Sequence, residues 1–198
     1  MTSGVARMVR TLSLCVLLML AAAPWALAEG SNLDRIMSAL AQRKHGHVTF
    51  VEKKFIHMLT RPVESSGELL YDAPDRLEKK TLKPRPESLV IDAGVISAQR
   101  GQHHYVLDVK QYPQVMPFIE SIRATLAGDR AALERNFKVD IAGDFDEWTL
   151  VLKPLDSKLT RTVKEIHIEG EKDLIRLVEI READGDRSLL TIGADVEQ

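Results

Sequence analysis

The sequence predicts a mainly β fold of the α+β class: a curved antiparallel sheet of roughly ten or eleven strands, forming a half-open barrel whose concave face is filled by helices. Three observations predict it. Short runs of alternating apolar and polar residues recur along most of the chain. The turn residues between them are too closely spaced to admit crossover helices, which disfavours a parallel sheet. Two stretches of helical periodicity stand apart, one before the first strand and one in the middle.

At the amino end, Arg7 and Arg10 precede an apolar run from Leu12 to Ala23, and Ala26-Leu27-Ala28 precedes Glu29. This is the charged, apolar and small-residue order of a cleavable export signal over residues 1–28, with cleavage expected after Ala28 and a single domain over 29–198. The run is shorter than the ~20 residues that span a bilayer, and Pro24 interrupts its end. Cys15 follows Leu14 and sits inside the run, which continues through Leu20, so it is core of the signal rather than a lipidation site. The exported chain then has no cysteine, hence no disulfide, thiol nucleophile or thiolate metal site. Removing Arg7 and Arg10 from 27 basic residues, against 29 acidic, leaves a net charge of −4. That balance argues against nucleic acid or an anionic membrane surface as the main partner.

Ser31, with Asp34 three residues on, is placed to cap a helix whose apolar positions are Leu33, Ile36, Met37, Leu40 and Ala41, ending near Lys44. The period then changes to two in Val48-Thr49-Phe50-Val51, Gly67-Glu68-Leu69-Leu70-Tyr71, Leu89-Val90-Ile91 and Tyr105-Val106-Leu107. Turns are marked by Arg61-Pro62, Asp72-Ala73-Pro74-Asp75, Lys83-Pro84-Arg85-Pro86, Asp92-Ala93-Gly94 and Arg100-Gly101-Gln102. Between Pro113 and Asn136, Val115, Phe118, Ile119, Ile122 and Leu126 share one helical face. Gly128-Asp129 then stops that helix and caps a second one carrying Leu133. Strands resume at Phe137 to Ile141, Trp148 to Leu152, Ile166 to Ile168, Leu174 to Ile180 and Leu189 to Ile192.

The order of helix, strands, helical insert and strands resembles the LolA family of periplasmic lipoprotein carriers. Val48-Thr49-Phe50-Val51-Glu52 resembles its first-strand pattern of apolar, x, Phe, x, Gln or Glu. Ser66 through Leu77 is similar to its strand, turn proline and following strand, and Leu89 through Gly94 to its strand ending in Asp-Gly. The resemblance implies an unclosed antiparallel barrel with a helical lid and a concave apolar surface that shields acyl chains. It also implies an acylated cargo, lipoprotein or lipid, passed from an inner-membrane donor to an outer-membrane acceptor. A monomer without catalysis, cofactor or nucleic-acid partner is expected. The basic residue that the family places before the turn proline to hold the lid is Ala73 here, so that latch is not carried over; Arg123, Arg130 and Arg135 are the candidates to pair with acidic turns instead. The acceptor that shares this half-barrel is lipid-anchored, which the position of Cys15 does not permit here.

The candidate ligand-lining residues are Phe50, Leu69, Tyr71 and Trp148 on the sheet and Val115, Phe118, Ile119, Ile122 and Leu126 on the insert. The same residues could equally make a solid core, in which case the function would lie on the rim, as in an adaptor of an envelope export complex. Catalytic and metal sites are not expected. His45-Gly46-His47 and His103-His104 read as exposed loop histidines without the HExxH spacing. No Gly-x-Ser-x-Gly elbow supports an envelope hydrolase, and Ser65-Ser66-Gly67 reads as a hairpin edge. Asp144 with Asp146, and Asp184 with Asp186, read as solvated turns, as do Gly185-Asp186-Arg187-Ser188.

Overall fold

A computed structural model describes residues 25–108 and 116–196 of the chain. The strands are β1 (His45–Phe55), β2 (Val63–Asp72), β3 (Arg76–Lys83), β4 (Glu87–Asp92), β5 (Val95–Arg100), β6 (His103–Asp108), β7 (Phe137–Gly143), β8 (Trp148–Pro154), β9 (Val163–Glu171), β10 (Leu174–Glu182) and β11 (Arg187–Asp195). They form one antiparallel sheet in the order β6-β5-β4-β3-β2-β1-β11-β10-β9-β8-β7. The helices are α1 (Trp25–Leu40), α2 (Met116–Ala127) and α3 (Arg130–Asn136).

This order explains the lid. β6 and β7 are consecutive strands in the chain yet form the two opposite edges of the sheet. The chain between them must therefore pass from one edge to the other, and it carries α2 and α3 as it does so. The sheet stays unclosed, as expected from the sequence. Its curl is helped by irregularities of register between Val48 and Phe50 on β1 and between Ser66 and Gly67 on β2, because a bulge increases local twist. Gly67 is required at the second: a Cβ there would lie 1.9 Å from the Lys80 carbonyl oxygen.

The first helix differs from the expected one at its start. It is already helical from Trp25, the first described residue, so Ser31 lies within it rather than capping it, because Ala26, Leu27, Ala28 and Glu29 are all good helix formers. Its apolar stripe is placed as expected, with Leu33, Ile36, Met37 and Leu40 all buried. Lys44 Nζ donates to the Ala41 carbonyl at 2.6 Å, just beyond the helix end. Gly128 ends α2 at φ +65°, and Asp129 caps α3 by accepting from the Ala132 backbone N–H at 2.9 Å. A Cβ at Gly128 would meet the Met37 carbonyl oxygen at 2.0 Å and Ala41 Cβ at 2.8 Å, so this glycine is also where the insert crosses the end of α1.

The packed core is asymmetric. Leu33, Ile36, Met37 and Leu40 of α1 and Leu133 of α3 join Phe137, Trp148, Leu150, Leu152, Ile166 and Ile168 from β7, β8 and β9. Burying each such side chain stabilises the fold by about 1.5–3 kcal/mol. The concave face of β1 to β4 and of β10 and β11 is covered differently, and there the core gives way to space.

Candidate functional site

A cavity of about 850 Å³ lies along the concave face beneath α2. Strand pairing explains its wall. Val48 and Glu52 on β1, Leu69 and Tyr71 on β2, Leu77 and Lys79 on β3, and Leu89 and Ile91 on β4 occupy matching inward positions, since Leu69 faces Lys79, Tyr71 faces Leu77, and these face Leu89 and Ile91 in turn. On the other side, Leu190 and Ile192 of β11 and Val178 and Ile180 of β10 continue the surface, with Val178 paired to Leu190 and Ile180 to Ser188. The insert contributes Ser121, Ile122, Thr125 and Leu126. The volume falls within the ~300–1,000 Å³ of small-molecule sites, and the wall is chiefly aliphatic.

Of the sequence candidates, Leu69, Tyr71, Ile122 and Leu126 line this cavity together. Phe50, Ile119 and Trp148 are buried but are not part of its wall. Phe50 lies under Lys79, whose Nζ is 5.0 Å from the ring centroid. Trp148 belongs to the packed core: a Cβ at Gly170 would be 2.2 Å from its ring, and its Nε1 donates to the Lys172 carbonyl at 3.0 Å. Val115 lies outside the described residues, and so does the side chain of Phe118. The sequence reading passed over Leu77, Val178, Ile180, Leu190 and Ile192, although alternate positions along each strand already marked them as a set.

One end of the wall is polar, which the sequence reading also missed. Glu52 Oε2 accepts from Lys79 Nζ at 2.5 Å and from Ser65 Oγ at 3.2 Å, while Oε1 accepts from Ser188 Oγ at 2.8 Å. Burial alone would raise the Glu52 carboxyl, but the hydrogen bond and charge of Lys79, with Lys54 and Ser188, outweigh it and hold the group below the ordinary carboxylate range. Glu182, also on the wall, is shifted the other way by burial and then by Asp184 and Asp186. The clue in the sequence was an acid two residues beyond Phe50 in an otherwise apolar inward row.

The insert is tied down by charge. Arg123 Nη1 lies 3.8 Å from Asp75 Oδ2, in the turn between β2 and β3. Arg130 pairs with Asp34 of α1 at 2.9 Å and with Glu134 of its own helix at 2.7 Å, and Arg135 with Glu120 of α2 at 3.5 Å. So Arg123 does reach an acidic turn, whereas Arg130 and Arg135 hold helix to helix because their partners lie on α1, α2 and α3.

The remaining chemical candidates are tied up locally. His45-Gly46-His47 and His103-His104 open strands β1 and β6 rather than lying in loops. His45 Nδ1 is 2.9 Å from Asp72 Oδ1, and His47 Nε2 is 3.0 Å from Glu68 Oε2. Among the described residues no group of three His, Cys, Asp or Glu converges as a metal site would require. Asp144 Oδ1 accepts from the backbone of Asp146 and Glu147, and Asp184 Oδ1 from that of Asp186, as turn aspartates do. Asp186 itself faces His57, whose backbone N–H donates at 2.9 Å and whose Nδ1 is 2.8 Å away, and Arg187 stacks 4.2 Å above Phe55, so neither simply faces water. Ser65 sits within β2 rather than at a hairpin edge.

No curated protein is significantly similar in sequence. Among solved structures, a LolA superfamily protein of Nitrosomonas europaea is 11% identical at TM-score 0.44, over 86% of this chain and 93% of that one. LprF of Mycobacterium bovis is 10% identical at TM-score 0.41, over 83% and 91%. The MucA/MucB complex of Pseudomonas aeruginosa contains a chain 13% identical at TM-score 0.44, of which this chain spans 59%. The profile of the family described as outer membrane lipoprotein carrier protein LolA-like matches residues 21–197, and the chain belongs to that family.

Proposed function

We propose that this protein is a periplasmic carrier that shields the acyl chains of a lipoprotein or another lipid-linked cargo on its way to the outer membrane. The observation that carries this reading is the aliphatic cavity of about 850 Å³ between the concave sheet and α2. Each methylene moved from water into such a site contributes about 0.8 kcal/mol, so a modest length of chain gives firm binding without any chemistry. Release then depends on the lid and on an acceptor with a better-fitting site. In this reading the protein receives cargo from an inner-membrane donor and passes it to an outer-membrane acceptor, and it catalyses nothing.

The export signal expected over residues 1–28 fits the same compartment. Cleavage after Ala28 would remove the first turn of α1 and leave its buried stripe from Leu33 to Leu40 intact. Among the described residues, no helix is long and apolar enough to cross a membrane. The test is titration of the purified protein with a fluorescent fatty-acyl probe. Saturable binding at one probe per chain is expected, and failure to bind any acyl probe would overturn the reading.

A further inference from the structure

Tyr71 is 7% exposed, it lines the cavity, and its hydroxyl has no hydrogen-bond partner. Such a group is out of place in a finished core, because a buried hydroxyl that has lost water and gained nothing is unfavourable. Two other buried polar groups of the wall are satisfied from within: Glu52 by Lys79 and Ser188, and the Thr125 hydroxyl by the Ser121 carbonyl at 2.8 Å. His167 Nε2 also lacks a hydrogen bond, but it lies 3.2 Å from Glu165 Oε1 and is not part of the cavity wall.

The surroundings of Tyr71 define what it would hold. It stands next to the turn that carries Asp75, near the end of β2, and feels the charges of both Asp75 and Arg123 of α2. Burial, and then the charge of Asp75, keep the phenol protonated, so it is a neutral donor. Arg123 and Asp75 compensate one another, which leaves no net charge there for an ionic headgroup. A neutral acceptor suits this position, with hydrocarbon continuing along Leu69, Leu77, Ile122 and Leu190. The first polar atom of an ester- or amide-linked acyl chain is such an acceptor.

We propose that the Tyr71 hydroxyl donates a hydrogen bond to the carbonyl oxygen of an ester- or amide-linked acyl chain, so that the cavity selects acylated molecules over plain hydrocarbon. This rests on the reading of the cavity as an acyl-chain site. It gives that site a polar reference point: the carbonyl sits at the lid margin and the chain runs inward.

The test compares methyl laurate with tridecane, a hydrocarbon of similar length, as displacers of an apolar dye from wild type and Tyr71→Phe. The variant should bind methyl laurate about 2- to 13-fold more weakly, the range for one net hydrogen bond, and tridecane unchanged. Equal changes for both, or none for either, would overturn the inference and leave the carrier reading standing. A wild type that binds neither would overturn both. As an independent readout, the infrared carbonyl stretch of bound methyl laurate should lie lower in wild type than in Tyr71→Phe; identical stretches count against the hydrogen bond whatever the affinities.

Discussion

Arg123 on α2 reaches Asp75 in the β2–β3 turn at 3.8 Å, so the helix over the cavity is tied to the sheet by a pair whose basic member is on the lid and whose acidic member follows the turn proline. Family carriers, by the resemblance of their motifs, place a basic residue before that proline, where this chain has Ala73. Here the basic member of the pair is on the helix and the acid is on the turn.

Both partners are partly exposed, so Arg123→Ala should cost less than about 1 kcal/mol of stability. Its effect should instead appear as faster release of a bound acyl probe, by about 1.5- to 5-fold, measured by stopped-flow displacement. The exchanged pair Arg123→Asp with Asp75→Arg should recover the slow rate. Unchanged release in the single variant would remove this contact from the lid.

Glu52 makes a second prediction. Its folded-state carboxyl is held below the ordinary value of 4.5, so the stabilisation it contributes is fully present above about pH 4.5 and is lost as pH falls through the lower folded value. Glu52→Gln leaves Lys79 without its charged partner and should lower stability at neutral pH by about 2–4 kcal/mol. It should also flatten the acid limb of the stability profile, as measured by urea unfolding from pH 3 to pH 7.

Ile122 lines the cavity from α2, so Ile122→Asp should abolish capture of an acyl probe while leaving the far-ultraviolet circular dichroism intact. Leu155→Asp, at a position 60% exposed and away from the cavity wall, is the matched control and should bind normally. Retained capture by Ile122→Asp would take α2 out of the site.

Gly128 and Gly94 separate backbone strain from close packing. Both have positive φ, +65° and +82°, but only Gly128 faces the backbone of α1; nothing lies within 4 Å of a Cβ at Gly94. Gly128→Ala should cost about 2–5 kcal/mol, strain plus overpacking, and Gly94→Ala about 1 kcal/mol. Thermal unfolding of the two variants checks the difference.

Much of this was legible in the sequence because alternation and turn chemistry are local. The inward rows Val48-Phe50 and Leu69-Tyr71, the stop at Gly128-Asp129, and the buried stripe Leu33, Ile36, Met37 and Leu40 all follow from spacing alone. β5 was marked only by the turns around it, since Val95–Arg100 is short, and β3, mostly charged over Arg76–Lys83, only by its turns and the family resemblance. The start of α1 was misplaced because a capping signal at Ser31 competed with good helix formers upstream.

The site was harder to read, for a physical reason. Whether an inward aromatic packs or lines space depends on what lies across from it. Trp148 meets Gly170 and core, whereas Tyr71 meets the cavity, and the pairings that decide this join residues far apart in the chain. The convergence of Glu52, Lys79 and Ser188 likewise needs four neighbouring strands, β3, β2, β1 and β11, side by side.

The most direct measurement is native mass spectrometry of the protein recovered from its source cells, with solvent extraction of whatever it carries. A stoichiometric acylated adduct is expected on wild type and is expected to be absent from Ile122→Asp. An empty wild-type protein that also ignores an offered fatty-acyl probe would contradict the carrier reading, and would place the function on the rim of the half-barrel instead.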